Sequence, residues 1–559
     1  MILEGPGYRV DVADDGLRAD LGSPAGDTWL RLRPLAALDM LGGRDETLEV
    51  EPPRLLDERT VEVRRRSTHW EDARVRLVCA PDGLEVRTSV RGSGRLNTVR
   101  LLAARSLLPG RPTGLLPSGS FFETLFTPNP GDPARVVQSA AETAVIGVVG
   151  DAEPGRGHWF FTPAPLYLVL GHVGISIVAP VDELRFPQAV YEASDHGFAI
   201  ALEYEGHLSA HGAFEAPTLL LAPGVDDPYA GLRAHRSSLA ARGSAPAVQT
   251  RARPAWWREP IFCGWGAQVV RARERGVRAA DLATQREYDE YLGLLEGHGL
   301  VPGTVVIDDK WQSTYGRNEV DRAKWPDLAA WIAERHARGQ RVLLWWKAWD
   351  PEGLPPELCV RNAEGAPIAV DPTHERAREE LARIVASLVG ARGLDADGLK
   401  IDFTARTPSG YAADTVTGSW GIALLHELLR VVHDAAKAAK PDALLVTHTP
   451  HPAFVDVTDM IRLNDMLRLD DASQPVSVVA QMRHRAAVAS AACPELLVDT
   501  DDWDVPSLAA WREYLREKPL LGVPALYYAE GVGGPCGRFG PEEYRSLRET
   551  WSAWRERQT

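Results

Sequence analysis

Eight short apolar runs alternate with helical patterns from about residue 255 onward, and no other feature of the chain narrows its possible folds as much. The runs fall at 260–265, 304–307, 341–346, 398–401, 443–447, 460–463, 495–498 and 523–528. Between them, apolar residues at helical spacing cover 285–295, 327–338, 374–390, 420–439, 474–492 and 507–518. Eight strand–helix units in about 300 residues predict a (β/α)8 TIM barrel, which normally takes about 250. A doubly wound sheet is the competing arrangement, and strict alternation favours the barrel. In a barrel the chemistry sits at the C-terminal ends of the strands.

The first 250 residues read differently. Runs at 60–63, 75–78, 84–88, 143–149 and 175–178 alternate apolar with polar residues between Gly, Pro and Asp turn signals. That pattern predicts a large antiparallel β-sandwich. The first long helical pattern, 227–242, leads into Gly243-Ser-Ala-Pro-Ala-Val-Gln-Thr, a linker composition. The expected organisation is a β-sandwich over 1–250 and a barrel over 251–559.

Composition removes several function classes. Lys plus Arg is 62 against 77 for Asp plus Glu, a net charge of −15 that repels nucleic-acid backbones. No apolar run approaches the roughly 18 residues of a membrane span, and the N-terminus lacks the pattern of a signal peptide. Cys79, Cys263, Cys359, Cys493 and Cys536 form no CxxC pair, so neither a thiolate zinc site nor a disulfide framework is expected. A soluble cytoplasmic protein follows, with no nucleic-acid or membrane partner, no metal and no cofactor; a homo-oligomer is open. The 17 Trp, most of them after residue 250, suggest core packing for about half and ring-stacking faces for the rest.

The strand ends are rich in acids, Trp and cations. Run two ends in Asp308-Asp309-Lys310-Trp311, which either binds vicinal hydroxyls or caps a helix. Run three ends in Trp345-Trp346-Lys347-Ala348-Trp349, where one Trp should face the pocket. In Lys400-Ile401-Asp402 the outer two residues point the same way, so a cation stands beside a carboxylate and keeps it ionised. His448, after run five, reads as a pocket-wall side chain. Run six leads into Arg462-Leu463-Asn464-Asp465, with Asp470 and Asp471 beyond. A second carboxylate here would face Asp402, as glycoside hydrolysis requires. The acids of 499–504 read as a solvated loop rather than a lip of the site.

IDDxW after run two, KxD after run four and RxxD after run six resemble the melibiase group of α-galactosidases, glycoside hydrolase families twenty-seven and thirty-six. The resemblance spans roughly 258–530, and the preceding β domain points to the thirty-six type. It implies Asp402 as nucleophile and Asp465 as acid/base, with Asp471 as the alternative acid. It also implies sugar contacts from Asp308, Asp309 and Lys400, with Lys400 touching the nucleophile as well. Arg462 would bind near the two-hydroxyl, Trp311 would shape the floor, and Trp265 would be a pocket Trp; Trp346 is the Trp of run three expected to face the pocket. His448-Thr449-Pro450-His451 replaces the group's glycine-rich cysteine motif, and no C-terminal β domain is expected. The resemblance implies retaining hydrolysis of an α-glycoside, an α-galactoside first. Transglycosylation, an inactive sugar-binding barrel and a metal-dependent hydrolase using Asp308, His448 and Asp465 are the alternatives.

Overall fold

The computed structural model describes residues 1–119, 123–130, 132, 135–150, 161–194, 197–249, 253–470, 473–534 and 536–558. Its first half is β-rich. A four-stranded antiparallel sheet opens the chain and is followed by a large, almost wholly antiparallel sheet of sixteen strands. Two long strands, Gly83–Leu101 and Gly197–Glu215, pair along most of their length and form its spine. All five runs read as strands in the sequence lie on strands. The helix Pro228–Ala241 starts where the carboxylate of Asp227 accepts the Tyr229 amide at 3.0 Å, and Pro228 costs nothing in its first turn. The expected division at 250/251 falls on residues outside the described set.

The second half is a parallel eight-stranded sheet with the strands in the order seven-six-five-four-three-two-one-eight. Barrel strand one is Ile261–Cys263, two Thr304–Ile307, three Arg341–Lys347 and four Gly398–Asp402. Strand five is Leu444–Thr447, six Met460–Arg462, seven Leu497–Asp499 and eight Ala525–Leu526. A parallel bridge between Asp499 and Val523 brings strand seven to strand eight and completes the ring. The architecture is the expected β domain followed by a (β/α)8 barrel.

Helices close the outside, and several of them start at side-chain caps. Asp327 accepts the Ala330 amide, Ser477 that of Ala480 and Ser507 that of Ala510. The helical pattern from 474 therefore begins four residues early: Pro475 bridges back to Leu469, and the helix is Val478–Ala492. Among the described residues no helix is long and apolar enough to cross a membrane.

Candidate active site

Lys310, Trp349, Phe403, Asn464 and Asp501 all take left-handed backbone near the exits of barrel strands, with φ between 52° and 74°. Such strain in non-glycine residues persists where surrounding structure enforces it. It turns each chain sharply at the C-terminal mouth, where the polar side chains gather.

Asp308 is buried and takes Lys400 Nζ at 2.7 Å and the Cys263 thiol at 3.0 Å on Oδ2, and the Asp309 amide on Oδ1. A hairpin follows, so the cap reading fails for this pair. Lys400 points inward as expected but pairs with Asp308, not directly with Asp402. Asp309 is less buried and accepts from the Tyr315 hydroxyl at 2.9 Å. Burial pushes its carboxyl up to about 6, against the Tyr315 hydrogen bond.

Asp402 ends strand four. Its Oδ1 accepts the Phe403 amide at 2.9 Å and Arg462 Nη2 at 3.0 Å, and its Oδ2 accepts the Trp345 indole N–H at 3.1 Å. Burial would raise this carboxyl, but Arg462, then Lys400, hold it well below the usual carboxylate range. The pocket Trp of strand three is thus Trp345, which aligns with Lys400. Trp346 aligns with Ile401, on the strand's opposite side, so its expected place in the pocket is corrected. Trp311 is buried and donates to the Trp345 carbonyl at 2.8 Å, so it braces Trp345 from behind instead of lining the floor.

Arg462 is the hub. Its Nη1 donates to Asp465 Oδ1 at 3.0 Å and Asp501 Oδ2 at 2.7 Å, while Nη2 reaches Asp402. Arg485 holds the turn that presents Asp465, donating to the carbonyls of Leu463, Asn464 and Asp465 at 2.7–2.8 Å. The Asp465 side chain is 59% exposed to the mouth, yet the surrounding protein pushes its carboxyl up to about 6, with Asp501 and Asp402 opposing Arg462. The direction follows from the two neighbouring carboxylates as well as from burial. Asp471 lies outside the described residues. Asp470 accepts the Gln474 amide and closes a turn.

The acids after strand seven are not a solvated loop. Asp499, Asp501 and Asp502 are 3%, 0% and 0% exposed, and Asp502 pairs with the buried Lys518. Asp499-x-Asp501 carries the same alternation signal as Lys400-x-Asp402. It was hidden because the apolar run ends at Val498, while the strand continues to Asp499.

His448 is buried, and its Nε2 lies 2.8 Å from Thr404 Oγ1. Burial, then Arg462, lower its pKa to about 4, so the ring is neutral. Thr404 also bonds the hydroxyl and carbonyl of Thr162, from the β domain, at 2.6 and 3.1 Å. No sequence signal marked that pair. Trp265 opens the helix after strand one and meets Trp503 edge-on at 6.2 Å, while Trp503 lies against Tyr528, making an aromatic rim. Asp308, His448 and Asp465 each bond a different partner.

No protein-family model matches the chain, and no curated protein matches it. Solved structures do. A GH31 family sulfoquinovosidase from E. rectale, in complex with an aza-sugar inhibitor, is similar with a TM-score of 0.60 at 12% identity, over 97% of this chain and 81% of that one. An α-galactosidase from Thermus thermophilus, in complex with stachyose, gives 0.52 at 17% identity, over 86% and 98%. A cycloalternan-degrading enzyme from Trueperella pyogenes, in complex with a covalent intermediate, gives 0.52 at 13%, over 89% and 72%. At these identities the likeness establishes the fold.

Proposed function

We propose that the protein is a retaining α-glycoside hydrolase, with Asp402 as nucleophile, Asp465 as acid/base and an α-galactoside as substrate. One observation carries the proposal. A single guanidinium bridges two carboxylates at the barrel mouth, and their surroundings push them to opposite protonation states.

Asp402 is the ionised member. Its Oδ2 has one donor, Trp345, against two on Oδ1, so Oδ2 is the freer oxygen to attack the anomeric carbon. Asp465 holds its proton up to about pH 6 and stands open to the mouth, where a leaving oxygen can take it. The C–O bond to the leaving group breaks as the Asp402–carbon bond forms. Asp465, now ionised, then takes a proton from water, whose oxygen displaces Asp402. Asp308, Asp309, Lys400 and His448 are the polar groups for glycone hydroxyls, and Trp265 offers a ring face.

The α-galactoside rests on the IDDxW, KxD and RxxD motifs, and on a fold shared with an α-galactosidase crystallised with stachyose. We place the domain boundary at 250/251. A panel of nitrophenyl glycosides tests the activity. Turnover of the α-galactoside with net retention, read by proton NMR of the first-formed sugar, is the expected result. Turnover of β-glycosides alone, or net inversion, would overturn the assignment.

A further inference from the structure

We infer that Asp501 is a positioning residue of this site: it anchors the Arg462 guanidinium and thereby fixes where the two reacting carboxylates stand. The inference rests on the proposed roles of Asp402 and Asp465. Three carboxylates share Arg462, but they are not equally fixed. The side chains of Asp465 and Asp402 are 59% and 24% exposed, whereas that of Asp501 is 0%. Asp501 Oδ1 accepts the amides of Asp502 and Trp503 at 2.5 and 2.9 Å, and its Oδ2 accepts Arg462 Nη1 at 2.7 Å. Both oxygens are engaged and the side chain is enclosed, so Asp501 acts through Arg462 and not on a sugar.

The other groups near Arg462 have anchors of their own. Lys400 is held by Asp308, His448 bonds Thr404, and Arg485 holds backbone carbonyls. Arg462 Nε has no hydrogen-bond acceptor among the described residues. The orientation of the guanidinium is therefore set through its two Nη groups, and of their three carboxylate partners Asp501 alone is fully enclosed; the same Nη1 continues to Asp465.

Loss of the Asp501 charge has a signed consequence. Asp465 is faced by Arg462 from its own strand, Asp501 from strand seven, and Asp402 and Lys400 from strand four, with Arg485 on its backbone carbonyl. Asp501 and Asp402 favour the protonated acid, while Arg462 and Lys400 oppose it. Without Asp501, one of the negative charges that favour the protonated acid disappears and Nη1 serves Asp465 alone. Both changes make Asp465 give up its proton at lower pH.

The experiment compares wild type, Asp501→Asn and Asp402→Ala on an aryl α-glycoside that the wild type hydrolyses, recording kcat and KM from pH 4 to 9 and thermal melting. Asp501→Asn should melt as a folded protein and lose on the order of 10²-fold in kcat, as misplacement of reacting groups does. Its basic limb should move down by about half a pH unit or more. A rise in KM with unchanged kcat and an unmoved limb would overturn the inference and make Asp501 a sugar contact. Wild-type kcat with an unmoved limb would overturn it too. If Asp501→Asn does not fold, Asp501→Ser removes the same charge from a smaller side chain and carries the same expectation. Full turnover by Asp402→Ala would instead sink the underlying assignment, whatever Asp501 does.

Discussion

Asp402 and Asp465 are the same chemical group, and their neighbours make them different tools. Replacing Asp402 by Gly should abolish turnover with little change in melting, because its ladder bonds run through the backbone, which glycine keeps, and Arg462 retains Asp465 and Asp501 as partners. Azide added to that variant with an activated substrate should give a glycosyl azide of inverted configuration, read by NMR. Full activity without azide would remove the nucleophile role. For Asp465→Ala the loss should be severe with a disaccharide and mild with an acidic phenol, since a good leaving group departs without a proton. The wild-type kcat/KM profile should fall above about pH 6, where Asp465 loses its proton, and that fall should be absent in Asp465→Ala. A leaving-group-independent loss would exclude Asp465 as the acid. The positions of Asp402, Arg462 and Asp465 were legible because strand exits and alternation are written in local sequence. Partners were not: nothing local says that Lys400 bonds Asp308 across the barrel, or that Trp311 serves Trp345.

At the level of elements, strand alternation decided more than residue identity. Trp345 and Trp346 are indistinguishable by type, yet the register with Lys400-Ile401-Asp402 turns one toward Asp402 and the other away. The loop after strand four depends on a contact that the sequence does not encode locally, the Thr162–Thr404–His448 hydrogen-bond chain. Thr404→Val keeps the volume but leaves Thr162 and His448 without their buried partner, a cost of about 1–3 kcal/mol. The expected outcome is a lower kcat with KM little changed, because Thr404 stands two residues beyond Asp402 and holds its loop. Thr404→Ser, which restores the hydroxyl, should recover most of the rate. Wild-type kcat in Thr404→Val, or a larger loss in Thr404→Ser than in Thr404→Val, would show that the methyl packing matters and the hydrogen bonds do not.

For the whole molecule, the two-part organisation was readable from periodicity, but the dependence of one part on the other was not. The helix Gly421–Ala439 has no side-chain cap. Its first amides, Ile422 and Ala423, instead donate to the carbonyls of Phe186 and Leu184 in the β domain, at 3.2 and 3.0 Å. Gly421 sits there at φ 60°, where an added Cβ would come within 2.2 Å of the Phe186 backbone, so the close approach requires glycine. His207 stacks on Trp420 at 3.5 Å, and the Tyr229 hydroxyl bonds His484 at 2.8 Å. Arg236 and Glu495 form an ion pair with both side chains 2% exposed. A pair that deep adds little over apolar packing, but removing one member strands a buried charge at about 3–5 kcal/mol. Arg236→Ala should therefore lower the melting temperature of the barrel, although Arg236 lies on the helix Pro228–Ala241, ahead of the first barrel strand. Calorimetry should show the two halves melting together in wild type, and residues 251–559 expressed alone should lack a cooperative transition, since they leave those helix amides and Glu495 without partners. A truncated barrel that melts like the full chain would show that the junction is incidental to its stability.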